Sequence, residues 1–257
     1  LQTLMRMEPD AEFWGEFGTI LLDETQILPC TSMVKVLSTC CSRYWVGMSA
    51  TPTRPDMQHP VLYLYLGEPC VVQSVEDTET KSSIPIDSAQ LVPTEFFAEY
   101  ADNLGDYMDS LAHDSARNGI IVDTAVKVVA SGGVPLLVTR RVDHARILHQ
   151  RLSEKVSGVQ LMLGPTNSGI DPVGIIMDRF RTGQATALVA IFQMCQKGMN
   201  IPPLSDLIIC APVKAHENLI QLAGRIRRSC PGKKSANIHY LYDVKVPRMR
   251  RMYFGAM

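Results

Sequence analysis

Six short apolar runs, each bounded by polar residues and alternating with helix-length amphipathic stretches, constrain this 257-residue chain more than any other feature. They fall at residues 18–22, 44–48, 136–138, 188–190, 207–211 and 238–241. Runs of this length with helices between them are the pattern of strands and crossover helices in a mostly parallel sheet. Residues 142–152 place Val142, Ala145, Leu148 and Leu152 on one face at helical spacing, and 219–228 reads as another helix. The expected class is α/β, without internal repeats.

Between Val75 and Pro93 the composition turns to Glu, Asp, Thr, Ser, Lys and Pro and the apolar periodicity fades, which marks a linker. The expected division is a first domain at 1–78 with too few strands for a complete sheet, a linker at 79–95, a complete second domain at 96–246 and a basic tail at 247–257. A hydrophobic content of 46% is ordinary for packed cores, and a formal charge of -1 excludes nucleic-acid binding by bulk positive charge, leaving local Lys and Arg clusters to do it. No apolar run approaches the roughly 18 to 20 residues of a membrane span, and residues 1–10 carry no signal-peptide pattern. The expectation is an intracellular protein, cytoplasmic or nucleoid-associated, without a membrane partner. Seven cysteines without a CxxC pair and six histidines without H-E-x-x-H spacing point to reduced thiols and no protein-built metal cluster. There is no initiator Met, and the opening Leu-Gln-Thr-Leu reads as the middle of a longer protein.

Asp23-Glu24-Thr25-Gln26 ends the first apolar run, which sets two carboxylates at the C-terminal edge of a parallel sheet, where α/β ligands bind. An Asp there can hold magnesium through its water shell, and a neighbouring Glu can take a proton from water attacking a γ-phosphate. A solvated strand end has the same appearance. Gly47-Met48-Ser49-Ala50-Thr51-Pro52 follows the second run. It is close to a nucleophile elbow, but Thr51 replaces the last glycine and no acid and His partners follow. In Gln221-Leu222-Ala223-Gly224-Arg225-Ile226-Arg227-Arg228, Arg225 and Arg228 are three apart and share a helical face. Two guanidinium groups so placed suit an arginine finger on a transferring phosphoryl group, or else a solvated basic face.

Taken in order, Asp-Glu-Thr-Gln, Ser-Ala-Thr, a strand and helix, Gly198-Met199-Asn200-Ile201-Pro202 and Gln-x-x-Gly-Arg-x-x-Arg resemble motifs II to VI of the superfamily 2 DEAD/DEAH-like ATP-dependent helicases. The similarity covers nearly the whole chain and looks closest to the phage-type branch that includes XPB-like and UvsW-like DNA repair helicases. Residues 47–56 resemble that branch's G-L-T-A-T-P-x-R-x-D, while 114–118 and 140–144 resemble its R-N and R-V-x-H segments. The resemblance implies two RecA-like lobes, the N-terminal one incomplete, that clamp ATP and Mg2+ and ratchet along nucleic acid, DNA in preference to RNA, as a monomeric motor.

It also implies roles. Asp23 would coordinate magnesium, Glu24 would be the general base, and Gln26 would report the nucleotide state. Ser49 and Thr51 would couple hydrolysis to movement. Gly198 and Asn200 would line the nucleotide cleft, and Gln221, Gly224, Arg225 and Arg228 would close on the phosphates, with Arg228 the better finger. Thr139 and Arg140 would face the nucleic-acid backbone, joined by Gln2 and Thr3. The chain departs from the pattern in Gln26, where relatives carry Asp or His, in Asn200, where many carry Asp, and in Met194-Cys195-Gln196-Lys197.

No G-x-x-x-x-G-K-[ST] loop occurs in the sequence. The nearest lookalike, Gly232-Lys233-Lys234-Ser235, has Arg227 where the first glycine is required and lies after a helix and before a strand, the reverse of the needed order. The expectation is that this chain alone neither binds ATP tightly nor hydrolyses it. The basic cluster Arg225, Arg227, Arg228, Lys233, Lys234, Lys245, Arg248, Arg250 and Arg251 could bind phosphate backbone or be solvated surface. Two alternatives stand beside the motor: a truncated, non-hydrolysing module that binds nucleic acid or a partner, and a duplex translocase that never unwinds.

Overall fold

The computed structural model describes residues 2–7, 9–25, 31–49, 57, 60–70, 84–98, 104–164, 171–196, 199–213 and 216–246. The chain divides into two compact units, residues 1–74 and 75–257.

The first unit contains helices α1 (Gln2–Met7), α2 (Ala11–Gly15), α3 (Thr31–Leu37) and α4 (Pro60–Leu66) and strands β1 (Thr19–Leu22) and β2 (Tyr44–Gly47). Asp10 starts α2 because its carboxylate accepts the Phe13 N–H at 2.9 Å, satisfying a donor that the helix leaves unpaired. The two strands run parallel, Thr19 opposite Tyr44 and Leu22 opposite Gly47. One face, with Ile20, Leu22 and Trp45, packs on Leu37, Leu62, Tyr63, Tyr65 and Leu66. The other is open, with Leu21 66%, Tyr44 56% and Val46 45% exposed. Parallel strands are ordinarily covered on both faces, so the described part of this lobe is an incomplete layer.

The second unit is a six-stranded, all-parallel sheet. Its strands are β3 (Ile86–Thr94), β4 (Pro135–Thr139), β5 (Val159–Met162), β6 (Ala187–Ile191), β7 (Asp206–Ile209) and β8 (Ala236–Asp243). They lie in the order β3-β8-β7-β4-β6-β5. Helices α5 (Leu104–His113), α6 (Ser115–Ala130), α7 (Val142–Ser153), α8 (Val173–Arg181), α9 (Phe192–Gln196) and α10 (His216–Ile226) surround it. The period-2 alternation of strand side chains divides the core. Leu136, Val138, Leu188, Ala190, Leu207 and Ile209 join Ile176 and Phe180 of α8 and Leu222 and Ile226 of α10. Leu137, Ala187, Val189 and Ile208 join Ile121 and Ala125 of α6 and Ala145, Leu148 and Leu152 of α7. Both faces are covered, which is why the central strands are continuously apolar.

The expected linker at 79–95 is corrected in its second half, because residues 86–94 are strand β3, paired with β8 along Ile86–Thr94. This strand lies at the sheet edge, and its side chains pair across to β8 through polar groups. Ser88 donates to Asn237 Oδ1 at 2.9 Å, Gln90 Nε2 meets His239 Nδ1 at 2.8 Å and Thr94 donates to Asp243 Oδ1 at 2.6 Å. An edge strand needs no apolar run and tolerates Pro93. The expected helix over 219–228 begins earlier and ends at Ile226, leaving Arg228 just beyond it.

Candidate nucleotide and nucleic-acid site residues

In the first unit the polar ends of β1 and β2 are stitched together. Met48 N–H donates to Leu22 O at 2.8 Å and Thr25 N–H to Met48 O at 3.1 Å, so the segment after Asp23 and Glu24 is tied to the one that leads into Ser49. Thr25 is buried, and Gly47 gives it room: a Cβ at Gly47 would stand 2.9 Å from Thr25 Cγ2 and would collide with Leu66. Glu24 has φ 53, a left-handed conformation that a residue with a Cβ adopts at a cost, and its N–H donates to Asp23 Oδ1 at 2.9 Å. Asp23 is exposed and Glu24 half-buried. Among the described residues no three His, Cys, Asp or Glu side chains come together. A cation at Asp23 would draw its remaining ligands from water or phosphate oxygens, which suits magnesium.

In the second unit, Arg225 and Arg228 converge on a single acceptor. Arg225 Nη1 donates to Met199 O at 3.1 Å, and Arg228 Nη1 donates to the same oxygen at 2.7 Å and to Asn200 Oδ1 at 2.6 Å. Burial, and then repulsion from Arg225, lowers the Arg228 pKa from its ordinary value. Two cations brought this close gain from an anion that binds both. Gln221 is one turn before Arg225 and half-buried. At Gly224, nothing lies within 4 Å of where a Cβ would be, so no packing demands a glycine and the helix surface there is open to a ligand.

Lys233, counted with the basic cluster from sequence, is committed elsewhere. Its ammonium donates to Pro202 O at 3.1 Å, to Arg228 O at 2.9 Å and to Leu204 O, clamping the segment that follows α10 to the turn after Asn200. Burial brings its pKa down to about 8. This replaces the phosphate-cradle look of Gly232 to Ser235 with a structural role. Lys245 pairs with Glu95 at 2.6 Å.

The end of β4 holds Thr139 and Arg140. Thr139 is only 1% exposed and its hydroxyl donates to His144 Nδ1 at 2.6 Å, so its side chain is turned into the protein. His144 Nε2–H donates to Asn118 Oδ1 at 2.8 Å, and Asn118 Nδ2 to Ala112 O at 2.9 Å. Burial first, then the charges of Arg117 and His113, hold the His144 pKa down to about 3, so the ring is neutral and carries its proton on Nε2. Arg117 is buried, with Nε on Asp243 Oδ1 at 2.7 Å, Nη2 on Oδ2 at 3.2 Å and Nη1 on Cys210 O at 2.7 Å. The R-N and R-V-x-H segments are thus internal braces of the sheet's carboxyl edge. Arg140 differs: its guanidinium lies 5.5 Å from the Phe192 ring centroid.

Gln26, Thr51 and Gly198 lie outside the described residues, as do Arg248, Arg250 and Arg251. Gln2 and Thr3 begin α1. Phe192 and Asp243 were not singled out from sequence as contributors, because their partners are fixed by sheet order. No helix among the described residues is long and apolar enough to cross a membrane.

No family model matches the chain. A probable helicase of Escherichia phage T5, D10, is 25% identical over 223 residues, covering 84% of this chain and 47% of that protein. The chain therefore spans about half the length of this relative. Among solved structures, the helicase MrfA bound to DNA and AMPPNP superposes with a TM-score of 0.64 at 11% identity, over 98% of this chain and 34% of that one. Dbp5 of S. cerevisiae, bound to RNA and ADP BeF3, superposes with a TM-score of 0.57 at 15% identity, over 99% of this chain and 61% of that one. The parallel sheets are those of RecA-like helicase lobes. By sequence the chain is similar to a probable phage helicase, and by fold to solved RecA-like helicase structures.

Proposed function

We propose that the chain is the rear part of the motor of an ATP-dependent helicase or translocase that moves on nucleic acid, DNA in preference to RNA. The observation that carries this reading is the convergence of Arg225 and Arg228 on Met199 and Asn200, a paired cation built on a RecA-like sheet. The tied ends of β1 and β2, with Glu24 in a strained conformation beside Asp23, support it from the first unit. Magnesium–ATP, when bound, supplies the phosphoanhydride on which these residues act. Asp23 would hold the metal, Glu24 would take a proton from the attacking water, and Arg225 and Arg228, with Gln221, would meet phosphate charge. Gln26, Gly198, Asn200 and Gly224 would line the nucleotide, Ser49 and Thr51 would couple its state to movement, and Arg140, with Gln2 and Thr3, would contact the nucleic-acid backbone.

The 257 residues contain no phosphate-binding loop, and the open apolar face of β1 and β2 calls for further structure to cover it. In this reading the chain alone hydrolyses no ATP, and a longer form carrying such a loop does. Saturable turnover by the 257-residue chain itself would contradict it. A strand-displacement assay on the longer form separates unwinding from translocation along duplex.

A further inference from the structure

We propose that Phe192 is a positioning residue that holds Arg140 as a grip for a nucleic-acid phosphate at the carboxyl edge of the second sheet, an inference that rests on the nucleic-acid reading above. Strands β4 and β6 pair with Thr139 opposite Ile191, so Arg140 and Phe192 leave adjacent strands side by side. Phe192 is buried in the core, and the Arg140 guanidinium sits 5.5 Å above its ring centroid. A guanidinium over an aromatic face is held by the ring's quadrupole without using its N–H donors, which are left for an acceptor such as a phosphate oxygen.

The donors of Arg140 have no partner among the described residues, and its Nε is buried without an acceptor. Other arginines of this unit are committed: Arg117 to Asp243, Arg141 to Asp109, Arg151 to Ser115 and Arg179 to Asp171. A desolvated donor with no acceptor is costly, and a ligand oxygen is what would relieve it. Helix α7 begins two residues later with no side-chain capping bond from Arg141, so its amino-terminal dipole adds to the attraction for an anion. Thr139, fixed by His144, anchors the backbone from which Arg140 projects.

The test is fluorescence anisotropy of the 257-residue chain with a fluorescein-labelled single-stranded oligothymidylate across a salt series, with circular dichroism melts to check the fold. Arg140→Ala should weaken binding about tenfold and reduce the salt slope by about one. Phe192→Leu should weaken it about three- to fivefold, Phe192→Tyr should restore it, and the Arg140→Ala, Phe192→Leu double variant should bind no worse than Arg140→Ala. Full affinity in Phe192→Leu, or additive losses in the double variant, would overturn the positioning role. If Phe192→Leu does not fold, Arg140→Lys, which keeps the charge but not the guanidinium's several donors over the ring, should lose affinity similarly, and unchanged binding would overturn the proposal. Absence of binding by the unaltered chain would overturn the nucleic-acid reading itself, whereas strong binding that both Arg140→Ala and Phe192→Leu leave intact would overturn this inference alone.

Discussion

Arg228 Nη1 and Asn200 Oδ1 are joined by a hydrogen bond of 2.6 Å, and the same nitrogen reaches Met199 O at 2.7 Å. A guanidinium proposed to meet phosphate is therefore held at rest by a neutral amide. An aspartate at position 200 would hold it with an ion pair, worth about 0.2–1 kcal/mol at a partly exposed site. Asn200→Asp should weaken binding of inorganic tripolyphosphate about two- to fivefold, and Arg228→Ala should abolish most of it, read as loss of ligand-induced thermal stabilisation. Equal stabilisation of the Asn200→Asp variant and the unaltered chain would contradict this account of the resting contact.

The Arg117–Asp243 pair is buried on both sides and reaches 2.7 Å. Asp243→Asn removes the charge that compensates the guanidinium, whose other side-chain partner is the neutral Cys210 O. The expected loss is about 3–5 kcal/mol, measured as a fall in the urea midpoint of the circular dichroism signal. A change below 1 kcal/mol would show that the pair is not a brace.

His144 gives a pH dependence with a definite sign. Its folded pKa is held down to about 3, against the ordinary histidine value of 6.5, so between these values the unfolded chain binds the extra proton. Stability contributed by the neutral ring is present above about pH 6.5 and falls as pH drops toward 3, with a limiting slope of about 1.4 kcal/mol per pH unit. Urea unfolding at pH 7.5 and 5.5 should show the drop, and His144→Gln should flatten it. An equal drop in that variant would assign the effect elsewhere.

Lys233 braces three backbone carbonyls and is not expected to bind nucleic acid. Lys233→Met should destabilise the protein by about 1–3 kcal/mol by leaving those acceptors unpaired. The salt slope of oligonucleotide binding should stay the same. A slope reduced by about one would return Lys233 to the basic cluster read from sequence.

The central strands β4, β6 and β7 are legible because burial on both faces makes them almost continuously apolar. The edge strands are not. β3 substitutes Ser88–Asn237, Gln90–His239 and Thr94–Asp243 for apolar pairs, and β5 is four residues long with Gln160 inside it. In the candidate sites, motif order named Arg225 and Arg228, and the structure brings them to one carbonyl. Sequence spacing could not show that Thr139 turns inward to His144, because that depends on the exit of α7 over the sheet. The Arg117–Asp243 pairing spans the chain from α6 to β8, and Phe192 meets Arg140 only because β6 lies beside β4.

The most direct measurement is ATP hydrolysis, with and without single-stranded DNA, by a form of the protein extended ahead of Leu1 with a segment bearing a phosphate-binding loop, beside its Glu24→Gln variant. DNA-stimulated turnover that Glu24→Gln abolishes is the predicted result. A well-folded extended protein without DNA-stimulated turnover, or a Glu24→Gln variant as active as its parent, would contradict the motor assignment or the role of Glu24.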